Sequence, residues 1–251
     1  MKIMPRKGFE FRGGSLSAAA AAWAAWDEAE QVALEGSFLA MFDSPYANGD
    51  EIGVGYGLSG ADATLTCTST IPAASGTPPR RYIAGADYFS FALPIFQILN
   101  NATAFTMILK ANWHTIGTNN NLLIAQGTNF YIQMMYHSSH KFYGGVKFSD
   151  GSTYYAENLR TTNPLVADTT YYLCIWYDGA NVRVGFATSK PKKLSDFSSG
   201  DYGEQSVPEK SLYVSDLSTY NGLTSDYGYQ SPDIDLYYFL LSPTCLIDNN
   251  A

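Results

Sequence analysis

The chain has 251 residues, 46% of them hydrophobic and 15% aromatic, with 19 Tyr and 14 Phe. That apolar content excludes a disordered chain and supplies one core of domain size. Only 15% of the residues are charged, and 23 acidic against 15 basic side chains leave a net charge of −8. This is the wrong sign for a nucleic-acid binder, and Ser, Thr, Asn, Gly and Tyr must wet the surface, as they do in extracellular and virion proteins.

Residues 1–36 differ in composition from the remainder. Met1–Gly14 carries Lys2, Arg6, Lys7 and Arg12 against Glu10 and has neither helical nor strand period, so it reads as an arm. Ser17 is placed to cap a helix running to about Leu34, with alanines for propensity and Gly36 as the stop. Trp23 and Trp26 lie about one turn apart on that helix and share a face. Indoles are favoured interface anchors, so arm and helix are expected to dock on a partner. The basic start and Ala18–Ala25 have the outline of a secretory signal, but alanine in place of leucine, the late start and Trp23 argue against one. No run approaches the ~20 apolar residues of a membrane span.

From residue 37 the pattern is one of short strands and turns. Strands are predicted at Ser37–Phe42, Ala63–Thr70, Tyr82–Phe91, Ala104–Ala111, Leu122–Ala125 and Phe130–Tyr136, then at Phe142–Phe148, Thr153–Leu159, Tyr171–Tyr177, Val182–Ala187, Leu212–Val214 and Leu236–Leu241. Asp178-Gly179 and Asp150-Gly151 mark hairpin turns, each glycine supplying a positive φ. Thr188–Lys210 reads as a mobile surface excursion. Many short strands with no second helical pattern mean an antiparallel sandwich or barrel.

Several of these segments, taken in order, resemble one family. Phe105–Trp113 (FTMILKANW), Asn121–Gly127 (NLLIAQG), Asn129–Gln133 (NFYIQ), Asp168–Gly179 (DTTYYLCIWYDG) and Asn181–Val184 follow the order of laminin-G-like, concanavalin A-like jelly rolls. Phe38–Asp43, Ser59–Leu65 and Gly85–Phe91 are similar to the first strands of that family, and Leu236–Leu241 with Ser242 and Pro243 to its closing strand. The resemblance covers most of residues 37–248. It implies an all-β, antiparallel two-sheet jelly roll over 37–251; residues 1–36 are not part of the family pattern and stand as the docking segment read above.

The chemistry of catalysis is sparse in the sequence. Retaining glycoside hydrolases of this fold resemble Glu-x-Asp-x-x-Glu on one strand, where alternate residues share a face. Asp27, Glu28 and Glu30 fall instead on the predicted helix, and Asp233 and Asp235 lack a third carboxylate. His137 and His140 sit at a hairpin end without an adjacent carboxylate or thiol, a poor zinc set. Cys67, Cys174 and Cys245 are odd in number and widely spaced, which fits neither a disulfide framework nor a metal site. Gly53–Gly57 is not followed by a helix and so is a turn rather than a phosphate cradle. The resemblance leaves calcium open as a ligand, and Asp43, Asn48 and Asp50 gather hard oxygens in one loop; the same residues are also ordinary turn chemistry.

Aromatic side chains near strand ends are the remaining resource. Trp113, Tyr136, Tyr143 and Tyr155 are the candidate carbohydrate-binding residues, since planar faces with polar tips suit sugar rings. The sequence therefore leads us to expect a non-enzymatic structural or attachment protein of a phage-type virion. Its partners would be other assembly subunits in a homo-oligomer, with a host surface glycan as a second ligand. The alternative is a carbohydrate-binding module or lectin, secreted or extracellular.

Overall fold

The computed structural model describes residues 37–41, 51–52, 54–55, 65–67, 80–82, 89–91, 96–115, 120–137, 141–157, 165–214, 221–223 and 233–249. The strands are, in chain order, β1 (Phe38–Met41), β2 (Glu51–Ile52), β3 (Val54–Gly55), β4 (Leu65–Cys67), β5 (Arg80–Tyr82), β6 (Phe89–Phe91), β7 (Phe105–Thr115) and β8 (Asn120–Gln126). They continue as β9 (Tyr131–His137), β10 (Lys141–Lys147), β11 (Thr153–Glu157), β12 (Thr169–Tyr177), β13 (Asn181–Ala187), β14 (Tyr202–Ser206), β15 (Asn221–Leu223) and β16 (Asp233–Ser242). One sheet, A, runs β14-β13-β12-β7-β16-β1-β3, with β5 also paired to β16; the other, B, runs β11-β10-β9-β8-β15-β6-β4-β2. Every strand pairing described is antiparallel. The two-sheet jelly-roll sandwich expected from the sequence is the architecture found.

Alternation along the strands builds the core. In β7, Phe105, Met107, Leu109, Ala111 and Trp113 point between the sheets. They meet Ile132, Met134, Tyr136, Phe142, Val146 and Phe148 of sheet B and its turns, together with Leu173, Ile175, Tyr177, Val182, Val184 and Phe186 of β12 and β13. Ring packing follows the quadrupole preference for tilted and edge contacts: Tyr171 meets Phe186 at 89° and Phe142 meets Phe186 at 80°.

Sheet A is buried on its outer face as well. Ile108, Cys174, Trp176, Ala187, Phe197, Leu240 and Ile247 form a second apolar cluster. This explains why β12 (TTYYLCIWY) is apolar nearly throughout instead of alternating. Two segments cover it. One is the excursion after β13, whose single turn Leu194–Asp196 is a 3₁₀ helix. The other is the C-terminal stretch 243–249. They hold each other through Leu194 N–H to Asp248 O (2.7 Å) and Asp248 N–H to Lys192 O (2.8 Å).

The excursion corrects one expectation. Thr188–Lys210 is not a loose loop: Phe197 is buried against Trp176, and Tyr202–Ser206 pairs with β13 as the edge strand β14. Leu212–Val214, expected as a strand, lies outside the strands and is tied to the loop before β7 by Leu212 N–H to Ala102 O and Asn101 N–H to Leu212 O. Among the hairpins, Gly179 has φ +93, as the predicted turn requires, and the Asp178 carboxylate accepts from Ala180 and Asn181 N–H at 2.9 and 2.7 Å, an Asx turn. The predicted helix at Ser17–Leu34, and with it Trp23 and Trp26, lies outside the described residues, as do Asp43, Asn48 and Asp50. Among the described residues, no helix is long and apolar enough to cross a membrane.

Candidate functional site

The four aromatic residues singled out from sequence part into two pairs. Trp113 and Tyr136 belong to the core: they are 1% and 2% exposed, their rings pack 6.5 Å apart, and burial pushes the Tyr136 phenol upward. Neither offers a face to a sugar, which corrects the expectation for both. The reason is parity: Trp113 and Tyr136 fall on the inward-facing positions of β7 and β9.

Tyr143 and Tyr155 take the opposite parity and come together. Tyr143 faces Glu157 across the β10–β11 ladder and Gly145 faces Tyr155, so both tyrosines lie on the outer face of sheet B. Their rings stack with centroids 5.2 Å apart and planes inclined by 24°. Tyr155 is 48% exposed. On the neighbouring strand β9, Tyr131 occupies the same face, and its hydroxyl donates to Gln133 Oε1.

Gly145 explains how three bulky rings fit on one patch of sheet. A Cβ built there would lie 2.8 Å from two ring carbons of Tyr155 and 2.9 Å from Cε1 of Tyr131. The two rings thus occupy the space a side chain would fill and lie down across the strand. Lys147 ends this row, its Nζ donating to Thr128 O at 2.8 Å. The result is a tyrosine platform with the Glu157 carboxylate opposite Tyr143 and the buried Gln133 amide opposite Gly145. Such a surface stacks on flat apolar faces and hydrogen-bonds at the rim.

Beside Glu157 the chain forms an open groove of about 710 Å³, lined by Glu157, Leu194, Ser195, Phe197, Ser199, Gly200, Tyr202, Gly203 and Glu204. Sequence reasoning missed it, because its residues come from β11 and from the excursion read as a loose loop. Close by, Arg183 is buried and paired on both sides, its Nε on Glu204 Oε2 at 3.0 Å and its Nη1 on Asp178.

A second titratable cluster was also invisible beforehand. His114 Nδ1 lies 2.8 Å from Asp168 Oδ1, and Nε2 lies 2.8 Å from Asp235 Oδ2. The three residues are drawn from β7, the turn before β12 and β16, so no sequence spacing could connect them. With each ring nitrogen against a carboxylate, the imidazole ties three strand ends. Of the thiols, Cys174 is fully buried, and desolvation pushes it well above the ordinary thiol range; Cys245 is raised for the same first reason. Among the described residues, no group of three His, Cys, Asp or Glu side chains is arranged to hold a metal ion.

No protein-family model matches the chain, and no curated protein matches its sequence. Solved structures match the fold. The botulinum neurotoxin serotype D binding domain superposes with a TM-score of 0.50 at 6% identity, covering 82% of this chain and 48% of the toxin domain. The sialidase carbohydrate-binding module of Ruminococcus gnavus, solved with α2,3-sialyllactose, gives 0.46 at 8% identity over 68% of this chain and 91% of the module. A galectin from Caenorhabditis elegans gives 0.33 at 9% identity over 57% and 84%. The chain spans about half the length of the toxin domain. At these identities the likeness is one of fold.

Proposed function

We propose that residues 37–251 form a non-catalytic glycan-binding module, a lectin-like jelly roll of the laminin-G-like, concanavalin A-like kind, with the tyrosine platform of sheet B as its binding face. The observation that carries this reading is the arrangement at Gly145: a bare backbone position on which the Tyr131 and Tyr155 rings lie, with Tyr143 stacked on Tyr155. Nothing in the packing of the core calls for three tyrosines on the outer face of a sheet. Two residues named from sequence, Tyr143 and Tyr155, are central to it; Tyr131 and Gln133 join them. For residues 1–36 we keep the docking role, with Trp23 and Trp26 as anchors. A phage-type particle of several copies is the setting favoured by the low charge and the Tyr, Ser and Asn richness.

The test is an oligosaccharide array probed with the full chain, followed by calorimetric titration of the best binder. Binding is expected, and Tyr155→Ala is expected to weaken it roughly tenfold, the loss of one stacked aromatic worth about 1–1.5 kcal/mol. No binding to any array member, or binding unchanged in a Tyr143→Ala, Tyr155→Ala double variant, overturns the proposal.

A further inference from the structure

We infer that the outer face of sheet A carries a second binding site, for an anionic group on a sugar, built around the Lys110 ammonium. The anion is read from this face alone; that a sugar bears it rests on the glycan-binding reading above.

Along this face the sheet changes character. Cys174, Ile108 and Leu240 stand in one row across β12, β7 and β16, under the cover already described. The next row is Tyr172, Lys110 and Tyr238, and the one after it Thr170, Asn112 and Asp235. All six of these residues are partly exposed, so the cover ends before them.

A bulge in β16 brings a third ring to this row. The register slips between Leu236 and Tyr238, so Tyr237 and Tyr238 both fall on the outer side while Leu236 and Phe239 stay in the core. Lys110 Nζ lies 5.4 Å from the ring centroid of Tyr172 and 5.0 Å from that of Tyr237. Tyr172 in turn meets Tyr238 edge-on, at 6.2 Å and 66°. The electron-rich ring faces hold the ammonium in place. Among the described residues no ion pair of Lys110 accompanies these two contacts.

A cation held this way is preorganised for an anion. Much of the rotamer freedom of lysine, among the largest of any side chain, is lost to the rings before a ligand arrives. Ring faces attract the charge but take none of its three N–H donors in a strong hydrogen bond. A carboxylate or sulfate oxygen accepts them in charge-assisted bonds, and the tyrosine rings offer apolar surface to the sugar that carries it.

The following row supplies polar partners. Asn112 Oδ1 is buried without a hydrogen-bond partner among the described residues, a cost that a ligand hydroxyl, or a water between the two, removes. Beyond it the His114 ring nitrogens each lie 2.8 Å from a carboxylate oxygen, one of Asp168 and one of Asp235. Asp235 also stands opposite Arg81 in the β5 ladder. These two carboxylates are thus engaged with the imidazole, while the Lys110 charge is held by rings.

The experiment titrates the full chain with matched probes: an oligosaccharide ending in glucuronic acid, its methyl ester, the neutral parent, and the parent bearing one sulfate ester. The acid is expected to bind about tenfold more tightly than its ester. That preference should shrink as salt rises from about 0.1 to about 1 M, which shortens the screening length from about 10 to about 3 Å. Lys110→Met, which keeps a long side chain against the rings, should bring the acid down to the ester's affinity and leave the neutral parent's binding unchanged. Tyr237→Ala, which loosens the ammonium, should weaken the acid about threefold. A sulfate probe that outbinds its parent supports a receptor for either anion, and a preference confined to the acid supports a carboxylate site. If acid and ester bind alike, or if the preference survives Lys110→Met, the inference falls and the platform reading stands on its own Tyr155→Ala test. If Lys110→Met abolishes the preference while Tyr155→Ala changes no affinity, this site stands and the platform falls. If no probe binds, both fall together.

Discussion

The outer faces of the two sheets have received the same device and put it to opposite uses. On sheet A, Gly185 of β13 leaves a gap that Phe197 fills, its ring carbons 2.9 Å from where a Cβ would sit, with Tyr202 at 3.0 Å. On sheet B, Gly145 of β10 leaves a gap that Tyr155 and Tyr131 fill at 2.8 and 2.9 Å. In both cases a ring lies down on a strand because the backbone there is bare. On sheet A the covering continues: Phe197 stacks on Trp176 at 5.1 Å and 15°, and the C-terminal stretch closes over them with Ile247. On sheet B nothing described covers Tyr155. A glycine-seated aromatic is a structural element when further chain buries it and, on the reading proposed above, a binding surface when none does, and composition alone does not tell the two apart.

The largest expected effect is a difference in stability between the two faces. Trp176 is fully buried, stacked on Phe197 and donates through Nε1 to Asn249 Oδ1 at 3.2 Å. Trp176→Ala is expected to cost about 3–5 kcal/mol, the usual range for emptying such a site, read from the urea midpoint. Tyr155→Ala, at a half-exposed residue, is expected to cost under about 1 kcal/mol and to show its effect in ligand binding instead. Equal losses at the two positions would mean that the tyrosine platform is itself covered, and the comparison would collapse.

The glycines sharpen the same contrast. Gly185→Ala forces a Cβ against Phe197, which Trp176 holds from behind, so about 1–3 kcal/mol of overpacking is expected. Gly145→Ala meets the Tyr155 ring, which has solvent on one side, and the Tyr131 ring, whose hydroxyl bonds Gln133. Its expected stability change is within about 1 kcal/mol, while ligand affinity falls at least fivefold because the platform is tilted. A Gly145→Ala variant that binds as wild type would show that the rings need not lie flat.

Much of the fold was legible because alternation survives translation into sheets. The inward set Phe105, Met107 and Leu109 could be read directly, and so could the turn at Asp178-Gly179. What was not legible has definite causes. Trp113 and Tyr136 looked like strand-end aromatics, yet β7 and β9 extend far enough to carry both into the core. The excursion after β13 is polar in sequence, and its order comes from one buried ring, Phe197, and a pairing to β13 that no local pattern announces. Tyr143 and Tyr155 were named, but Gly145, which seats the platform, was not. A glycine inside a predicted strand was the available signal, since such glycines mark a close approach.

Acid should turn the covered face toward the open one. Asp178 is the hub: its carboxylate accepts from Ala180 and Asn181 N–H, from Arg183, and from Asn249 Nδ2 at 2.9 Å, the last tying down the C-terminal stretch. Burial by itself would raise its pKa; the Arg183 guanidinium and the two N–H groups outweigh that and hold it below the ordinary carboxylate value. A carboxyl lowered on folding stabilises the native state above its unfolded pKa, near 4, and that contribution is lost as pH falls through the lower folded value. Stability should therefore be flat around this group from pH 7 to about 5 and decline below about 4. Asp178→Asn keeps one acceptor but faces Arg183 with an amide, so a loss of about 1–2 kcal/mol is expected at pH 7, the worth of one charge-assisted bond, together with a shallower acid decline. Hydrogen exchange at residues 243–249, corrected for intrinsic pH dependence, should rise in acid in the wild type before exchange rises in β9 and β10. Simultaneous release of both faces would show instead that the C-terminal stretch is no separate cover, and that the two faces of the sandwich open as one.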